Sequence, residues 1–222
     1  DVNDEDLKNY NQDFLFDKCH IAKSAVIKKG VIIGKNSTIK DGVVINHNCL
    51  IGDNALVEEN TVISNTIIGD NVRVGRNSSI GQPGFGFAID NLSNHKIHHL
   101  GRVILQSNVS IGSNCCIDRG SFGDTVIGEN TYFDNLCHIA HNVEVGNNCI
   151  FAAMAGIAGS TKIGNYVMAG GQVGISGHLN IGNNVQIAAK SAILKSIDGN
   201  CSVMGSPAID KYKYIRKYKK FY

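Results

Sequence analysis

The most constraining feature of this sequence is an aliphatic or aromatic residue at every sixth position. From Ile127 to Ile193 the period holds over twelve consecutive positions, of which only Ala169 is small. An earlier run extends from Ile21 to Ile80 with one slip of phase. A period of six fits neither an α-helix nor a simply alternating strand. It predicts a short strand and a turn on each of three faces, so that three hexads close one triangular coil.

The residues between these positions support the same fold. Gly commonly follows the apolar residue, as at Gly128 and Gly146, and Asn commonly comes two or three positions after it, as at Asn130 and Asn147. Both residue types tolerate turn conformations that other residues resist. Stacked coils would lie about 4.8 Å apart, the spacing of neighbouring strands. The sequence therefore predicts an all-β fold, a parallel β-helix of hexapeptide repeats.

The period divides the chain into three parts. Residues 1–18 are acidic and lack it, and we expect an irregular lead-in. Residues 19–205 carry the β-helix, with a loop excursion at 81–100 that is rich in Gly, Phe and His. Long excursions from a solenoid are often functional. Residues 206–222 hold six Lys or Arg residues and predict a basic helical tail, suited to an acidic partner or simply solvated.

Composition excludes several classes of function. The formal net charge of +2 gives no field that would favour nucleic acid. Seven Cys form no CxxC pair, and six of them stand two residues before a large apolar residue, which predicts small buried thiols in a reducing compartment. Neither a run of 18 apolar residues nor a signal-peptide pattern is present. We expect no membrane span, a cytoplasmic location and no metal site.

Two histidines of the repeat region fall outside the large inward positions. His141 and His178 follow apolar positions by two and three residues, so both should project outward. His141 has Asp134 and Asn135 one hexad earlier, and a nearby carboxylate can fix an imidazole's tautomer and raise its basicity. His138 has a similar claim on position alone. No GxSxG elbow is present, which disfavours a covalent acyl-enzyme.

Six motifs make the stretch from about Gly101 to Ile197, with the excursion before it, similar to a known family. They are GFGFA at 84–88, KIHHLGRV at 96–103, CCIDRGSFGDTVIG at 115–128, DNLCHIAHNVEVG at 134–146, AGIAGSTKIG at 155–164 and GGQVGISGHLNIG at 170–182. The sequence resembles the UDP-3-O-(3-hydroxyacyl)glucosamine N-acyltransferases of lipid A biosynthesis. The resemblance implies a left-handed coil, opposite to the usual crossover rule. It also implies a homotrimer with ligand grooves between its subunits.

The implied reaction is transfer of a 3-hydroxyacyl chain from acyl carrier protein to the 2-amine of UDP-3-O-acylglucosamine. No cofactor is implied, since phosphopantetheine enters as part of the acyl donor. The resemblance makes His141 the general base, Asp134 its orienting acid, the N–H of Gly159 the oxyanion donor and His178 a second histidine near the substrate. The expected substrate contacts are Asn135, Phe85, Phe87, Arg102 and His138. The expected carrier-protein contacts are Lys217, Lys219 and Lys220.

Two other interpretations stay open. One is an acyl-CoA-dependent N- or O-acyltransferase acting on another nucleotide-linked amino sugar, which donor preference would discriminate. The other is a non-catalytic trimeric scaffold. The family also carries an N-terminal uridine-binding domain, whereas this chain starts just before the repeats. We therefore expect either a fragment of a family member or a shorter relative that binds the nucleotide sugar in a different way.

Overall fold

A computed structural model describes residues 18–90 and 92–219. Thirty strands lie in these residues, most of them two residues long. Before the excursion they are β1 His20–Ile21, β2 Val26–Ile27, β3 Ile32–Ile33, β4 Thr38–Ile39, β5 Val44–Ile45, β6 Leu50–Ile51, β7 Leu56–Val57, β8 Val62–Ile63, β9 Thr66–Ile68, β10 Arg73–Val74 and β11 Ser79–Pro83. The excursion holds β12 Phe87–Ile89 and β13 Asn94–Lys96.

The strands after the excursion continue the same coil. They are β14 Val103–Leu105, β15 Ser110–Ile111, β16 Cys116–Arg119, β17 Thr125–Ile127, β18 Tyr132–Phe133, β19 His138–Ile139, β20 Glu144–Val145, β21 Ile150–Phe151, β22 Gly156–Ile157, β23 Lys162–Ile163, β24 Met168–Ala169, β25 Gly174–Ile175, β26 Asn180–Ile181, β27 Gln186–Ile187, β28 Ala192–Ile193, β29 Ser202–Gly205 and β30 Ala208–Asp210. One helix, α1 Lys211–Tyr218, follows them within the described residues.

Every third strand stacks into one of three parallel sheets. The first face runs β1-β4-β7-β10-β15-β18-β21-β24-β27-β29, with β30 added antiparallel at its end. The second face runs β2-β5-β8-β11-β16-β19-β22-β25-β28, and the third runs from β3 to β26 in the same manner. The predicted fold class, an all-β parallel helix of hexapeptide repeats with a short C-terminal helix, is confirmed.

The apolar residue at every sixth position faces the core, because successive side chains of a strand point to opposite sides of the sheet. Ile117, Ile139 and Ile157 are paired in register on neighbouring coils, and each is at most 1% exposed. On the first face, Phe133 and Phe151 stack with ring centroids 4.6 Å apart. The residue before each inward position points out, which is how this fold presents chemistry on its faces.

The turns explain the frequency of Asn. Fourteen Asn residues adopt a positive φ near +55°, the left-handed region that Asn tolerates better than most residues. Six of the seven cysteines fill inner corners, as predicted from their spacing, whereas Cys116 stands at an outward strand position. Cys49, Cys115, Cys137 and Cys149 are buried, whereas Cys19 and Cys201, at the two ends of the solenoid, are partly exposed.

One boundary differs from the sequence prediction. The tail was expected to be helical from residue 206, but Ala208–Asp210 first pairs antiparallel with β29. The helix begins only at Lys211, where the Asp210 carboxylate accepts a hydrogen bond from the Lys213 N–H as an N-cap. Within the excursion, β12 and β13 form an antiparallel hairpin. The predicted lead-in at residues 1–18 lies outside the described residues except for Lys18, and no helix in the described part is long and apolar enough to cross a membrane.

Candidate active site

An open cleft of about 1110 Å³ lies on the second face, between the coil and the excursion. Its floor consists of outward strand positions that stack in register, namely His138, Gly156, Gly174 and Ala192. A side chain added at Gly156 or Gly174 would meet nothing within 4 Å. The two glycines therefore hold the floor open where any larger residue would fill it.

The excursion forms the opposing wall of the cleft. Phe85 and Phe87 pack edge to face with centroids 4.9 Å apart, and both line the cleft together with Lys96. Phe85 is 84% exposed, so much of this apolar wall lacks cover in the single chain. Two of the substrate contacts expected from the sequence, Phe85 and Phe87, are thus brought to the cleft.

His141 lies at the edge of the floor, on the corner between the second and third faces. Its Nδ1 is 3.1 Å from Oδ1 of Asn142. That oxygen also accepts hydrogen bonds from the backbone N–H of Ser121 at 3.0 Å and from its hydroxyl at 2.8 Å. Because the backbone N–H can only donate, the atom is an acceptor, and Nδ1 of neutral His141 must carry the proton. Nε2 then keeps its lone pair, the form that a general base requires.

Gly159 lies directly beside that nitrogen. A Cβ at position 159 would come within 2.8 Å of Nε2 of His141 and 2.7 Å of its Cε1. Any side chain would therefore displace the imidazole. The structure brings together His141, Gly159 and His138, three of the residues singled out in the sequence, on adjacent coils around one cleft.

A second histidine, His99 of the excursion, packs against His141. The rings of His99 and His141 meet edge to face, with centroids 5.1 Å apart. His99 is 1% exposed, its Nδ1 lies 3.0 Å from the Ile97 carbonyl oxygen, and its Nε2 has no hydrogen-bond partner among the described residues. Burial lowers the pKa of His99, and the nearby imidazole of His141 acts in the same direction. His99 thus stands as a neutral, closely packed support for the His141 ring.

A buried carboxylate faces the floor histidine. Asp118 has a side chain only 6% exposed, and its Oδ2 lies 3.7 Å from Nε2 of His138. Its Oδ1 accepts a hydrogen bond from Gln82 at 2.8 Å. Burial raises the pKa of Asp118, while His138 and then the Gln82 hydrogen bond oppose that rise. The pair adds an acid and a base to the cleft beyond His141.

The other predicted acid does not contact the imidazole in this chain. Asp134 and Asn135 lie on the corner between the first and second faces, one strand away from His141, and the Asp134 carboxylate accepts hydrogen bonds from Asn135. The residue at Nδ1 of His141 is Asn142 instead, because it is on the same corner. An orienting role for Asp134 and substrate contact by Asn135 stay predictions.

The remaining candidates lie away from the cleft floor. His178 is on the same corner as His141 but two coils further on, exposed, and outside the cleft lining. Arg102 is held by Asp124 through a 2.9 Å ion pair. Lys217 and Lys219 are exposed at the end of the chain, whereas Lys220 lies outside the described residues. Their roles stay predictions, as does the absence of a metal.

Sequence inspection missed three residues of this site. Asn142 follows His141 directly and could have been found from the rule that the neighbour of one imidazole nitrogen selects the tautomer. Asp118 and His99 gave no comparable signal. The first reaches His138 only through the pairing of β16 with β19, and the second reaches His141 only through the fold of the excursion.

Comparisons with known proteins support the hexapeptide-repeat fold described above. A family model described as the GMPPB C-terminal domain matches residues 11–118, and one described as bacterial transferase hexapeptide (six repeats) matches residues 124–159. UDP-3-O-acylglucosamine N-acyltransferase of Caulobacter vibrioides (strain NA1000 / CB15N) is 48% identical over 84 residues, which are 38% of this chain and 25% of the relative. The same enzyme of Maricaulis maris (strain MCS10) is 53% identical over 66 residues, 30% of this chain and 19% of the relative. The matched stretch thus spans about a quarter or less of the length of these relatives.

Among solved structures, UDP-N-acetylglucosamine acyltransferase from Campylobacter jejuni has a TM-score of 0.76 at 27% identity, covering 90% of this chain and 82% of that one. The Francisella novicida enzyme of that name, at 22% identity and a TM-score of 0.71, shows the same fold, covering 90% of this chain and 71% of that one.

The stacked hexads and the matched repeat model define a hexapeptide-repeat protein of the parallel β-helix type. Within that class, the resemblance inferred from the motifs is confirmed. Over the matched stretches the chain is similar to the UDP-3-O-acylglucosamine N-acyltransferases.

Proposed function

We propose that the chain is an N-acyltransferase of lipid A biosynthesis. It transfers a 3-hydroxyacyl group from the thioester of acyl carrier protein to the 2-amine of UDP-3-O-acylglucosamine, with His141 as general base. The observation that carries this proposal is the protonation pattern of His141. Asn142 holds Nδ1 protonated, so Nε2 offers its lone pair beside Gly159 at the edge of the cleft.

The chemistry follows from this arrangement. The amine attacks the thioester carbonyl while Nε2 of His141 accepts the proton that the nitrogen releases. The N–H of Gly159 donates to the oxygen that becomes negative in the tetrahedral intermediate. The carbon–sulfur bond then breaks, the thiolate takes up a proton, and an amide and a free thiol result. A positioned base contributes about 10²–10⁴-fold, and one oxyanion donor about 10²–10³-fold.

The shape of the cleft suits both substrates. Gly156, Gly174 and Ala192 leave a long, shallow floor for an acyl chain or a pantetheine arm, and Phe85 and Phe87 supply apolar contact along the wall. Lys96 places a cation at the same wall, where a phosphate of either substrate would bind favourably. Aminolysis of a thioester needs a base, an oxyanion donor and such a groove, and His141, the Gly159 N–H and this cleft are the candidates for the three.

The relatives support the acceptor, and one structural neighbour supports an alternative. The curated relatives are named for UDP-3-O-acylglucosamine and N-acyl transfer. The Campylobacter jejuni structure is named for UDP-N-acetylglucosamine and acyl transfer, which favours a related acyltransferase on another UDP-amino sugar as the second candidate. A hydroxyl acceptor would need the same base and the same oxyanion donor.

The partners belong to the same proposal. The basic tail offers a surface for acyl carrier protein, which is acidic, and a homotrimer would place a second subunit over the exposed side of the cleft. The cytoplasmic location and the absence of a cofactor stay predictions from the sequence. A non-catalytic scaffold is disfavoured because a packing role would not require the defined tautomer of His141.

A panel of donors and acceptors tests the proposal. The purified 222-residue chain is incubated with 3-hydroxyacyl carrier protein or 3-hydroxyacyl-CoA, each with UDP-3-O-acylglucosamine or UDP-N-acetylglucosamine, and products are identified by mass. We expect amide product from the carrier protein with the 3-O-acylated sugar, and much less from the other pairs. Turnover of UDP-N-acetylglucosamine alone would replace the proposal with the second candidate, and turnover of no pair would contradict both.

A further inference from the structure

Backbone N–H groups at one corner of the coil are capped by side chains one coil further on. At the corner between the third and first faces, the N–H of Asn147 donates to Oδ1 of Asn165 at 2.8 Å. The N–H of Asn165 in turn donates to Oδ1 of Asn183 at 2.7 Å. Residues 18 apart thus form a ladder in which each Asn side chain accepts a hydrogen bond from the backbone N–H of the residue one coil earlier.

The corner that carries the site has the same geometry but different residues. The positions equivalent to Asn147, Asn165 and Asn183 are His141, Gly159 and Gly177, six residues earlier in each coil. The N–H of Gly159 should therefore be capped by the side chain at position 177. Glycine has none.

The amide of Gly159 is accordingly left open. Its neighbours on either side are satisfied, since Ala158 donates to the Ile175 carbonyl at 2.9 Å and Ser160 to the His141 carbonyl at 2.9 Å. Within residues 18–90 and 92–219, no acceptor of the protein is hydrogen-bonded to the Gly159 N–H. Gly159 is only partly buried, so this donor is accessible to a ligand oxygen.

We infer that Gly177 is a positioning residue: by supplying no capping side chain, it keeps the Gly159 N–H free to bind the oxyanion beside His141. The inference rests on the proposed function, in which Gly159 is the oxyanion donor. The missing side chain at Gly177, one coil after Gly159, explains why that donor is available. An Asn at 177 would restore the ladder seen at the neighbouring corner and would occupy the donor in the resting enzyme.

Three variants separate capping from crowding. Gly177→Asn adds an acceptor, whereas Gly177→Ala adds only a Cβ, which would lie 2.9 Å from the Gly159 carbonyl oxygen and measures the effect of bulk. Asn183→Gly, the matched control, opens the equivalent amide of Asn165 at a corner remote from the cleft. Each is made in the full chain, with kcat, KM and hydrogen exchange of the affected amide, by NMR, as readouts.

We expect Gly177→Asn to slow exchange of the Gly159 amide and to lower kcat by about 10²–10³-fold with little change in KM. Gly177→Ala, whose Cβ crowds the Gly159 carbonyl oxygen, should lower kcat clearly less than Gly177→Asn does, and Asn183→Gly should keep wild-type kcat while its Asn165 amide exchanges faster. The inference is overturned if Gly177→Asn protects the amide yet keeps wild-type kcat, if it leaves the amide unprotected, or if Gly177→Ala loses as much kcat as Gly177→Asn. Should the wild-type chain have no turnover, the proposed function fails, whereas the amide exchange still decides whether Gly177 controls the donor.

Discussion

Oδ1 of Asn142 lies 3.1 Å from Nδ1 of His141, and both donors of Ser121 mark that oxygen as an acceptor. The tautomer of the candidate base is therefore set by the next residue in the chain. Asn142 is itself fixed, because it occupies a tight turn with φ +59° and its amide donates to the Gly123 carbonyl. A rigid turn thus delivers the imidazole with its lone pair in the cleft.

Removing the Asn142 side chain should impair turnover without disturbing the fold. In Asn142→Gly the positive φ is retained at no steric cost, but nothing holds the proton on Nδ1. We expect kcat to fall about 10-fold or more, part of the contribution of a positioned base. Asn148→Gly, at an equivalent turn with φ +58°, is the matched control. Equal activity of the two variants would exclude a role for Asn142 in setting the tautomer.

Neighbouring aromatic residues of β18 should differ sharply in their contribution to stability. Phe133 is 3% exposed and stacked on Phe151, whereas Tyr132 points outward and is 47% exposed. Phe133→Ala should lower the free energy of unfolding by about 3–5 kcal/mol, and Tyr132→Ala by no more than about 1 kcal/mol. Denaturant titration of both variants measures this difference, and similar losses would mean that the assignment of inward and outward positions is wrong.

Acid should destabilise the protein through His99. The pKa of His99 in the folded protein is lowered from the ordinary 6.5, mainly by burial. Below about pH 6.5 the unfolded chain therefore binds a proton that the folded protein does not, and the free energy of unfolding decreases as the pH is lowered. His99→Phe keeps a ring against His141 and removes this titration. The charged or titratable neighbours of His99, namely His141, Asp118 and Arg119, are unchanged in the variant.

Urea titrations at about pH 7.5 and 5.5 provide the comparison for His99. Going from the higher to the lower pH, the wild type should lose more unfolding free energy than His99→Phe does. If wild type and His99→Phe lose the same free energy of unfolding between the two pH values, His99 is not the group whose protonation destabilises the protein.

Charge reversal in the tail should weaken binding of acyl carrier protein. Glu at positions 217, 219 and 220 would replace three Lys residues at the basic end, and like charges across an interface disfavour association. We expect a clear increase in Kd at low salt that shrinks as salt screens the charges. Glu at Lys29, Lys35 and Lys40, near the opposite end of the helix, controls for net charge. Equal weakening by both sets would indicate a general charge effect rather than a tail surface.

The fold could be predicted almost completely from the sequence, because the six-residue period directly reports which side chains point inward. That His141 and Gly159 lie at one cleft could be predicted as well, since the motifs that carry the resemblance are local. The Asp118–His138 pair could not. Cys116 aligns with His138 across 22 residues rather than the 18 of the regular coil, because of the insertion between Ile117 and Ile127. The contact of His99 with His141 depends on how the excursion folds back, and no period describes that segment.

The most direct test of His141 as the general base compares wild type with His141→Ala in the transfer of a 3-hydroxyacyl group to UDP-3-O-acylglucosamine, with amide product followed by mass. His178→Ala, on the same corner two coils away, is assayed beside them, and the oligomeric state and melting curve of each protein are recorded. We predict amide product from the wild type, and about 10²-fold less or lower still from a folded His141→Ala protein. A folded His141→Ala variant that turns over at the wild-type rate would contradict the assignment of His141 as the base.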